Sequence, residues 1–224
     1  MTTPRTNPQT SNLILGLDPS LTSTGWSILN GSKKECLDWG MLKTNTKTIM
    51  VKRFIFIKDE LQKLIDQYKI RFVGCEAPVF GGYETGTAYA LYIGLQEVCL
   101  NCKVDIVYFA PSQLHKLLRE EGYGTAGKIF KSDSVEAAKA FLNDKIPSRA
   151  TGDKADSLHA ARFGYRFWQF FNESLIRDAL TSAEFEMFTK THTFIKGKKK
   201  GTTERKGLIH REDDLFFRFS KHTA

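Results

Sequence analysis

The chain has 224 residues, of which 33 are Lys or Arg and 25 are Asp or Glu, so its formal net charge is +8 at pH 7. Hydrophobic residues make up 41% of the chain, which predicts one sizeable folded domain, and no apolar run of about 18 residues occurs that would span a membrane. The excess of positive charge favours a polyanionic partner such as nucleic acid. The first eleven residues are polar and lack the apolar core of a signal peptide, so we expect a disordered N-terminus at 1–11 and a cytoplasmic protein.

The N-terminal third of the chain alternates apolar runs with turn residues, which predicts a three-stranded meander. The strands are expected at 13–17, 26–29 and 36–42. From about residue 48 to 68, apolar residues recur mostly at spacings of three and four, which is typical of an amphipathic helix. A short buried strand at 70–75 follows this helix and leads directly to a glutamate.

The middle of the chain alternates helices with strands, a pattern that predicts parallel strands in the sheet. We expect a helix at 85–99, a strand at 104–109, a short helix at 112–118, a helix near 131–142 and a last core helix at 153–171. These elements together predict an α/β fold. Its mixed sheet is antiparallel at the start and parallel later, and helices cover its faces.

Residues 172–224 differ in character from the part before them. A further short helix is expected at about 174–189, and the stretch after it has no clear period. It carries a basic run that consists of Lys196, Lys198, Lys199, Lys200, Arg205 and Lys206. We interpret 172–224 as a basic C-terminal extension of a domain at 12–171, in which the lysines of the run contact phosphates. The alternative is that the basic run is a solvated loop without a role in phosphate binding.

Four carboxylates follow or begin the predicted elements. Asp18 follows the first strand, Glu76 follows the strand at 70–75, and Asp153 and Asp156 lie three residues apart at the start of a helix. The carboxyl ends of neighbouring parallel strands meet at one edge of a sheet, and residues three apart share one helix face. Converging carboxylates repel one another unless hard cations bind them, so the pattern predicts a site for two Mg²⁺ or Mn²⁺ ions. Alternatively, Asp153 only caps the N-terminus of the helix, and Asp156 only interacts favourably with the helix dipole in the first turn.

Five short motifs succeed one another along the chain. They are Gly16-Leu17-Asp18-Pro19-Ser20 with Thr24-Gly25-Trp26, Cys75-Glu76 with Val79-Phe80, Phe109-Ala110-Pro111-Ser112-Gln113, Gly122-Tyr123-Gly124-Thr125-Ala126-Gly127-Lys128, and Asp153-Lys154-Ala155-Asp156-Ser157-Leu158. In this order they resemble the motifs of RuvC-type Holliday junction resolvases, members of the RNase H-like superfamily. The resemblance covers about residues 12–171. It implies an RNase H-like fold with a mixed five-stranded sheet flanked by helices, and a metal-dependent endodeoxyribonuclease that cuts four-way junctions in DNA.

The resemblance also implies the catalytic residues. The ligands of two divalent metal ions would be Asp18, Glu76, Asp153 and Asp156. These ions would activate a water molecule for in-line attack on a phosphodiester, and Lys128 would support catalysis near the scissile phosphate. His159, three residues after the last carboxylate, is interpreted as a histidine packed within its helix, with an approach to the metal ions as the alternative.

The DNA contacts and the oligomeric state follow from the resemblance in the same way. Phe80 would stack on a base at the junction centre, and a second family lysine falls on His115 or Lys116. Lys128 would add a phosphate contact. The family further implies a homodimer, with the helix at 85–99 as its expected interface.

Three other functions stay open from the sequence. The chain could cut a broader set of branched DNA, such as flaps and forks, with the same metal chemistry. It could bind DNA without cutting it, although none of the four carboxylates is missing. The first motif also resembles the phosphate loop of actin-like sugar kinases and ATPases, but the chain is short for such a protein and has no second glycine-rich hairpin of that kind.

Overall fold

The computed structural model describes most of the chain: residues 12–78, 85–125, 127–171, 179–189, 191–193, 203–211 and 214–220. Several predictions fall outside these ranges, namely disorder at 1–11, the stacking residue Phe80, and the phosphate contacts of Lys198, Lys199 and Lys200. None of the helices in the described part of the chain has the length and hydrophobicity that a membrane span requires.

Five strands form a mixed sheet in the order β3-β2-β1-β4-β5. Their bounds are Leu13–Asp18 (β1), Ser23–Asn30 (β2), Glu35–Lys43 (β3), Phe72–Glu76 (β4) and Asp105–Phe109 (β5). The first three strands pair antiparallel, and β4 runs parallel to both β1 and β5. The predicted mixed five-stranded sheet is therefore confirmed. Strand β2 begins three residues earlier than expected, because Ser23 and Thr24 extend its pairing with β3.

The helices cover both faces of this sheet. In the described residues they are Met50–Tyr68 (α1), Thr85–Asn101 (α2), Pro111–Glu120 (α3), Lys131–Phe141 (α4), Gly152–Phe171 (α5) and Ser182–Thr189 (α6). Successive residues of a strand point to opposite faces. Accordingly, Leu15 packs with α1 and α2 in one core, and Ile14 packs with α3, α4 and α5 in the other.

Helix α5 lies directly on the sheet because three strand residues have no side chain. A Cβ atom on Gly16, Gly25 or Gly74 would overlap the backbone carbonyl oxygen of a residue in α5. Gly16 and Gly74 are also partners in the register of β1 and β4. Glycine therefore opens a groove across three neighbouring strands, and the start of α5 is held over the sheet edge where β1 and β4 end.

The C-terminal extension continues the same sheet. Its strands are Thr191–Thr193 (β6), Thr203–Arg211 (β7) and Asp214–Ser220 (β8), and β7 pairs antiparallel with β5, as in Ile106↔His210. The sequence analysis predicted no strand here, because β7 opens with the polar run Thr-Glu-Arg-Lys-Gly and has little apolar alternation. The free edge of β5 provides backbone hydrogen-bond partners for such a segment whatever its side chains are.

Helix α6 is attached to the domain by both charged and aromatic contacts. Arg166 of α5 donates to both carboxylate oxygens of Glu184, at 2.7 and 2.8 Å, and Glu184 is 5% exposed. The rings of Phe167 and Phe188 meet edge to face with centroids 5.1 Å apart. Part of the extension therefore packs into the core of the preceding domain. Of the helix predicted at about 174–189, the structure has Ser182–Thr189 as a helix, and residues 174–178 lie outside the described ranges.

Candidate active site

Two of the predicted carboxylates end neighbouring parallel strands. The register of β1 and β4 runs as far as Leu17↔Cys75, and the next residue of each strand is Asp18 or Glu76. The end of β4 is held from the opposite face, where the hydroxyl group of Tyr92 donates a hydrogen bond of 2.7 Å to the carbonyl oxygen of Glu76. These two side chains therefore start from adjacent points on one sheet edge.

Helix α5 brings the other two carboxylates to the same edge. Asp18, Asp153 and Asp156 each offer one carboxylate oxygen, and the three oxygens lie within 4.8 Å of one another. Burial, followed by the charges of Asp18 and Asp156, raises the pKa of Glu76, which ends the strand next to β1. The structure thus gathers three of the four acidic residues that the sequence analysis selected, and it places the fourth, Glu76, at the end of the strand beside Asp18.

Burial makes these carboxylates difficult to ionise together. Desolvation, followed by the charges of Asp156 and Asp153, raises the pKa of Asp18 to about 7. Desolvation, followed by the charges of Asp18 and Asp156, raises the pKa of Glu76 to about 8. A cation that binds between the carboxylates would replace the protons and remove the mutual repulsion.

The donor set fits a hard divalent metal ion. The three clustered ligands are all carboxylates, the oxygen donors that Mg²⁺, Mn²⁺ and Ca²⁺ accept. They come from a strand end and one helix face, both held by backbone packing, so the ligands are positioned before any ion binds. The cluster could therefore hold a divalent metal ion.

A lysine that the sequence analysis missed lies beside the carboxylates. Lys131, the first residue of α4, forms an ion pair with Asp153, and its positive charge offsets a small part of the rise in the pKa of Asp18 and Glu76. The stem of this lysine runs over Gly152, where a Cβ atom would lie 2.5 Å from its Cδ atom. The available sequence signal was its place at the start of a helix just after the glycine-bearing loop.

The lysine that the family resemblance selected lies three residues earlier. Lys128 is exposed on a tight turn, in which its backbone exchanges hydrogen bonds of 2.9 and 3.1 Å with Thr125. Its role in catalysis stays a prediction. The candidates for the second family lysine, His115 and Lys116, are half-buried on α3, and their contact with DNA also stays a prediction.

A buried serine and a buried histidine also adjoin the cluster. The hydroxyl group of Ser134 donates a hydrogen bond of 2.5 Å to Oδ1 of Asp156. The Nε2 atom of His159 lies 2.9 Å from the carbonyl oxygen of Ser134. His159 therefore packs within the domain, and its hydrogen bond connects it to the carboxylates through Ser134. The sequence analysis did not select Ser134, because its partner lies 22 residues away on another helix.

Comparison with known proteins agrees with the motifs. The family model described as "Crossover junction endodeoxyribonuclease RuvC" matches residues 14–158. A protein of that name from Finegoldia magna is 28% identical over 167 residues, which cover 71% of this chain and 98% of the relative. Another of that name, from Prochlorococcus marinus, is 30% identical over 156 residues, which cover 68% of this chain and 97% of the relative.

Solved structures share the fold. The structure of Thermus thermophilus RuvC superposes with a TM-score of 0.57 at 18% identity, and the match covers 71% of this chain and 97% of that protein. T. thermophilus RuvC in complex with a Holliday junction substrate superposes with a TM-score of 0.56 at 16% identity, over 67% of this chain and 90% of that protein. The RNase H-like fold predicted from the motifs is thus confirmed.

Proposed function

The chain belongs to the RuvC family of crossover junction endodeoxyribonucleases, and from this premise we propose that it resolves four-way DNA junctions by Mg²⁺-dependent hydrolysis of phosphodiesters. The observation that carries the proposal is the carboxylate cluster at the shared end of β1, β4 and α5, within the residues that match the family. We also infer a cytoplasmic location, because the substrate is DNA and all four cysteines are free thiols.

The four carboxylates would hold two divalent ions, Mg²⁺ or Mn²⁺. When bound, these ions would supply an activated water molecule and stabilise the charge that develops on the phosphate. The protein contributes fixed ligand positions, since Asp18 and Glu76 end paired strands while Asp153 and Asp156 lie on a helix seated on glycine. Fixed ligands lower the reorganisation that the site needs at the moment of reaction.

We propose Lys131, with Lys128 as the alternative, for the lysine near the scissile phosphate. The ammonium group of Lys131 already pairs with a carboxylate of the cluster. With cations on the carboxylates, this ammonium group would be free to pair with a phosphate oxygen of the DNA. Lys128 is three residues away on the preceding turn, from which its exposed side chain could reach the DNA beside the cut.

The basic extension is proposed to contact DNA near the active site. Ile209 pairs with Val107, so residues 203–206 of β7 extend past the carboxyl end of β5, toward the sheet edge that carries the carboxylates. This register supports the proposed phosphate contacts of Lys198, Lys199 and Lys200. Base stacking by Phe80 and phosphate contacts by His115 and Lys116 remain part of the same proposal.

A homodimer would suit a junction that has two-fold symmetry. The described surface offers apolar residues on α2 and on the adjoining α1 for such an interface. Ile93 is 62% exposed on α2, while Val51 is 61% and Ile55 is 52% exposed on α1. A charge at Ile93 (I93E) should shift the protein toward the monomer in sedimentation equilibrium. The same change at Leu37, which is 42% exposed on β3, serves as the control.

The experiment that tests the function compares four substrates of matched sequence: a four-way junction, a flap, a fork and a linear duplex, each with Mg²⁺. Paired symmetric nicks in the junction alone are the expected result. Equal cutting of the flap or fork would mean a broader branched-DNA nuclease, a candidate that the extension beyond the matched residues favours.

D18N and D156N should abolish cutting while junction binding persists, and binding without cutting by the unaltered protein would refute the proposal.

A further inference from the structure

The first turns of α4 and α5 meet in a repeating set of polar contacts beside the carboxylates. Lys131 pairs with Asp153, and one helical turn later Ser134 pairs with Asp156; both pairs are separated by 22 residues. His159 lies a further turn along α5, and its ring forms a hydrogen bond with the carbonyl group of Ser134. The two helices therefore keep a common register through the part of α5 that carries the metal ligands.

Ser134 is an unusual residue for its position. It is 1% exposed, and the same helix carries Ala137 and Ala138 at its other buried positions. Serine is less favourable than alanine inside a helix, and a buried hydroxyl group costs stability unless it has a partner. Its partner is Oδ1 of Asp156 at 2.5 Å. The serine hydroxyl group is the donor and the carboxylate oxygen is the acceptor, and short O–H···O bonds are typical of carboxylate acceptors.

His159 holds the backbone of this serine from the inner side. The ring is 1% exposed and stacks on Phe163, with centroids 6.4 Å apart. A carbonyl oxygen only accepts, so Nε2 carries the proton that is donated to Ser134, and Nδ1 has no partner among the described residues. Burial lowers the pKa of His159, in keeping with a neutral ring.

We propose that Ser134 is a positioning residue for the metal ligand Asp156, and that His159 acts through Ser134 by fixing the helical turn that carries it. Without the serine, the carboxylate of Asp156 would turn away from the like charges of Asp18 and Asp153. The bond to the hydroxyl group uses one acceptor site of Oδ1, so the carboxylate keeps capacity to bind a cation. This inference rests on the proposed metal-dependent function.

The test measures Mn²⁺ binding to the full chain without DNA, from the electron paramagnetic resonance signal of free Mn²⁺. S134A should raise the dissociation constant at least about tenfold, the usual effect of losing a hydrogen bond to a metal ligand. S134C, which keeps the size but donates weakly, should act in the same direction, while S134T should retain affinity. S132A changes an exposed serine on the same turn and should leave binding unchanged.

His159 is tested in the same assay. H159F keeps an aromatic ring but removes the donor, and it should weaken Mn²⁺ binding, whereas H159Q should retain binding through its amide donor. Because His159 acts through the hydroxyl group of Ser134, H159F should add little in the S134A background. A purely structural role would lower the melting temperature of each variant and leave the affinity of the folded protein unchanged.

D156N distinguishes the hypothesis that the carboxylates bind metal ions from the hypothesis that Ser134 and His159 position Asp156. If D156N fails to weaken Mn²⁺ binding, the proposed metal site itself is wrong. If D156N weakens binding while S134A, S134C and H159F bind Mn²⁺ as the unaltered protein does, only the positioning role is overturned. Equal, additive losses from S134A and H159F would likewise refute action of the histidine through the serine.

Discussion

Gly25 packs directly against the backbone of Asp153, and a Cβ atom on this glycine would overlap the Asp153 carbonyl oxygen. The same glycine is the partner of Asp18 in the register of β1 and β2. One missing side chain therefore allows a metal ligand on a helix to approach a metal ligand on a strand. The short distance among the carboxylate oxygens depends on this contact.

Replacing Gly25 with alanine should disturb both stability and catalysis. The added methyl group meets backbone, which has little freedom to move, so we expect a loss of about 1–3 kcal/mol in the free energy of unfolding. Urea denaturation gives this value, and junction cleavage should fall with it because Asp153 is displaced from Asp18. G86A is the matched control, since a Cβ atom there meets nothing within 4 Å. A G25A variant as active as G86A would contradict the packing argument.

The metal-free protein should lose stability as the pH rises. The pKa values of Asp18 and Glu76 are raised to about 7 and about 8, mainly by burial, whereas carboxyl groups in an unfolded chain have pKa values of about 4. Between the pKa values of the unfolded chain, about 4, and those of the folded protein, the folded state therefore binds more protons than the unfolded state. The free energy of unfolding falls across this interval, and the loss is complete once the pH has risen through about 7 to 8.

Thermal melting in EDTA from about pH 5 to about pH 9 measures this effect. D18N with E76Q should flatten the decline, because neither amide titrates. Mg²⁺ should raise the melting temperature more at the alkaline end, where the carboxylates are ionised and free of competing protons. An equal decline in the double variant would assign the effect to other groups.

The two candidate lysines can be separated by parallel substitution. K131A should lower the single-turnover rate of junction cleavage by about 10²-fold or more, the range for loss of one group that stabilises transition-state charge. K128A should have the smaller effect if Lys131 holds the position near the phosphate. K131R, which keeps the charge, should recover part of the rate. A larger loss in K128A would return the role to the lysine that the family motif selects.

The basic run should contribute to the salt dependence of junction binding. Each phosphate contact contributes a slope of about −0.9 in log K against log salt for duplex DNA. Changing Lys198, Lys199 and Lys200 to alanine should therefore reduce the slope by up to about 2.7 and weaken binding. K33A with K34A is the control, because the β2–β3 turn lies at the sheet end opposite Asp18. An unchanged slope would mean that the run does not contact DNA.

Much of the site could be predicted because its signals are local. Asp18 and Glu76 directly continue apolar strands, and the spacing of Asp153 and Asp156 determines that they share a helix face. Lys131 was harder to identify, because Lys128 fits the family motif by spacing while the contact with Asp153 depends on where α4 begins. The strand β7 was missed because its partner edge on β5, and not its own side-chain pattern, determines its structure.

The sequence by itself determined the order of strands and helices as far as α5 and the sheet edge at which the carboxylates lie, since both follow from short-range pattern and from the direction of parallel strands. Only the tertiary structure decided which groups support these carboxylates. Lys131 and Ser134 reach their partners across 22 residues, and Gly25 admits the start of α5. Contacts of this kind depend on how two helices and a sheet pack together, and that packing arises from side-chain volumes summed over the whole core, which no local pattern expresses.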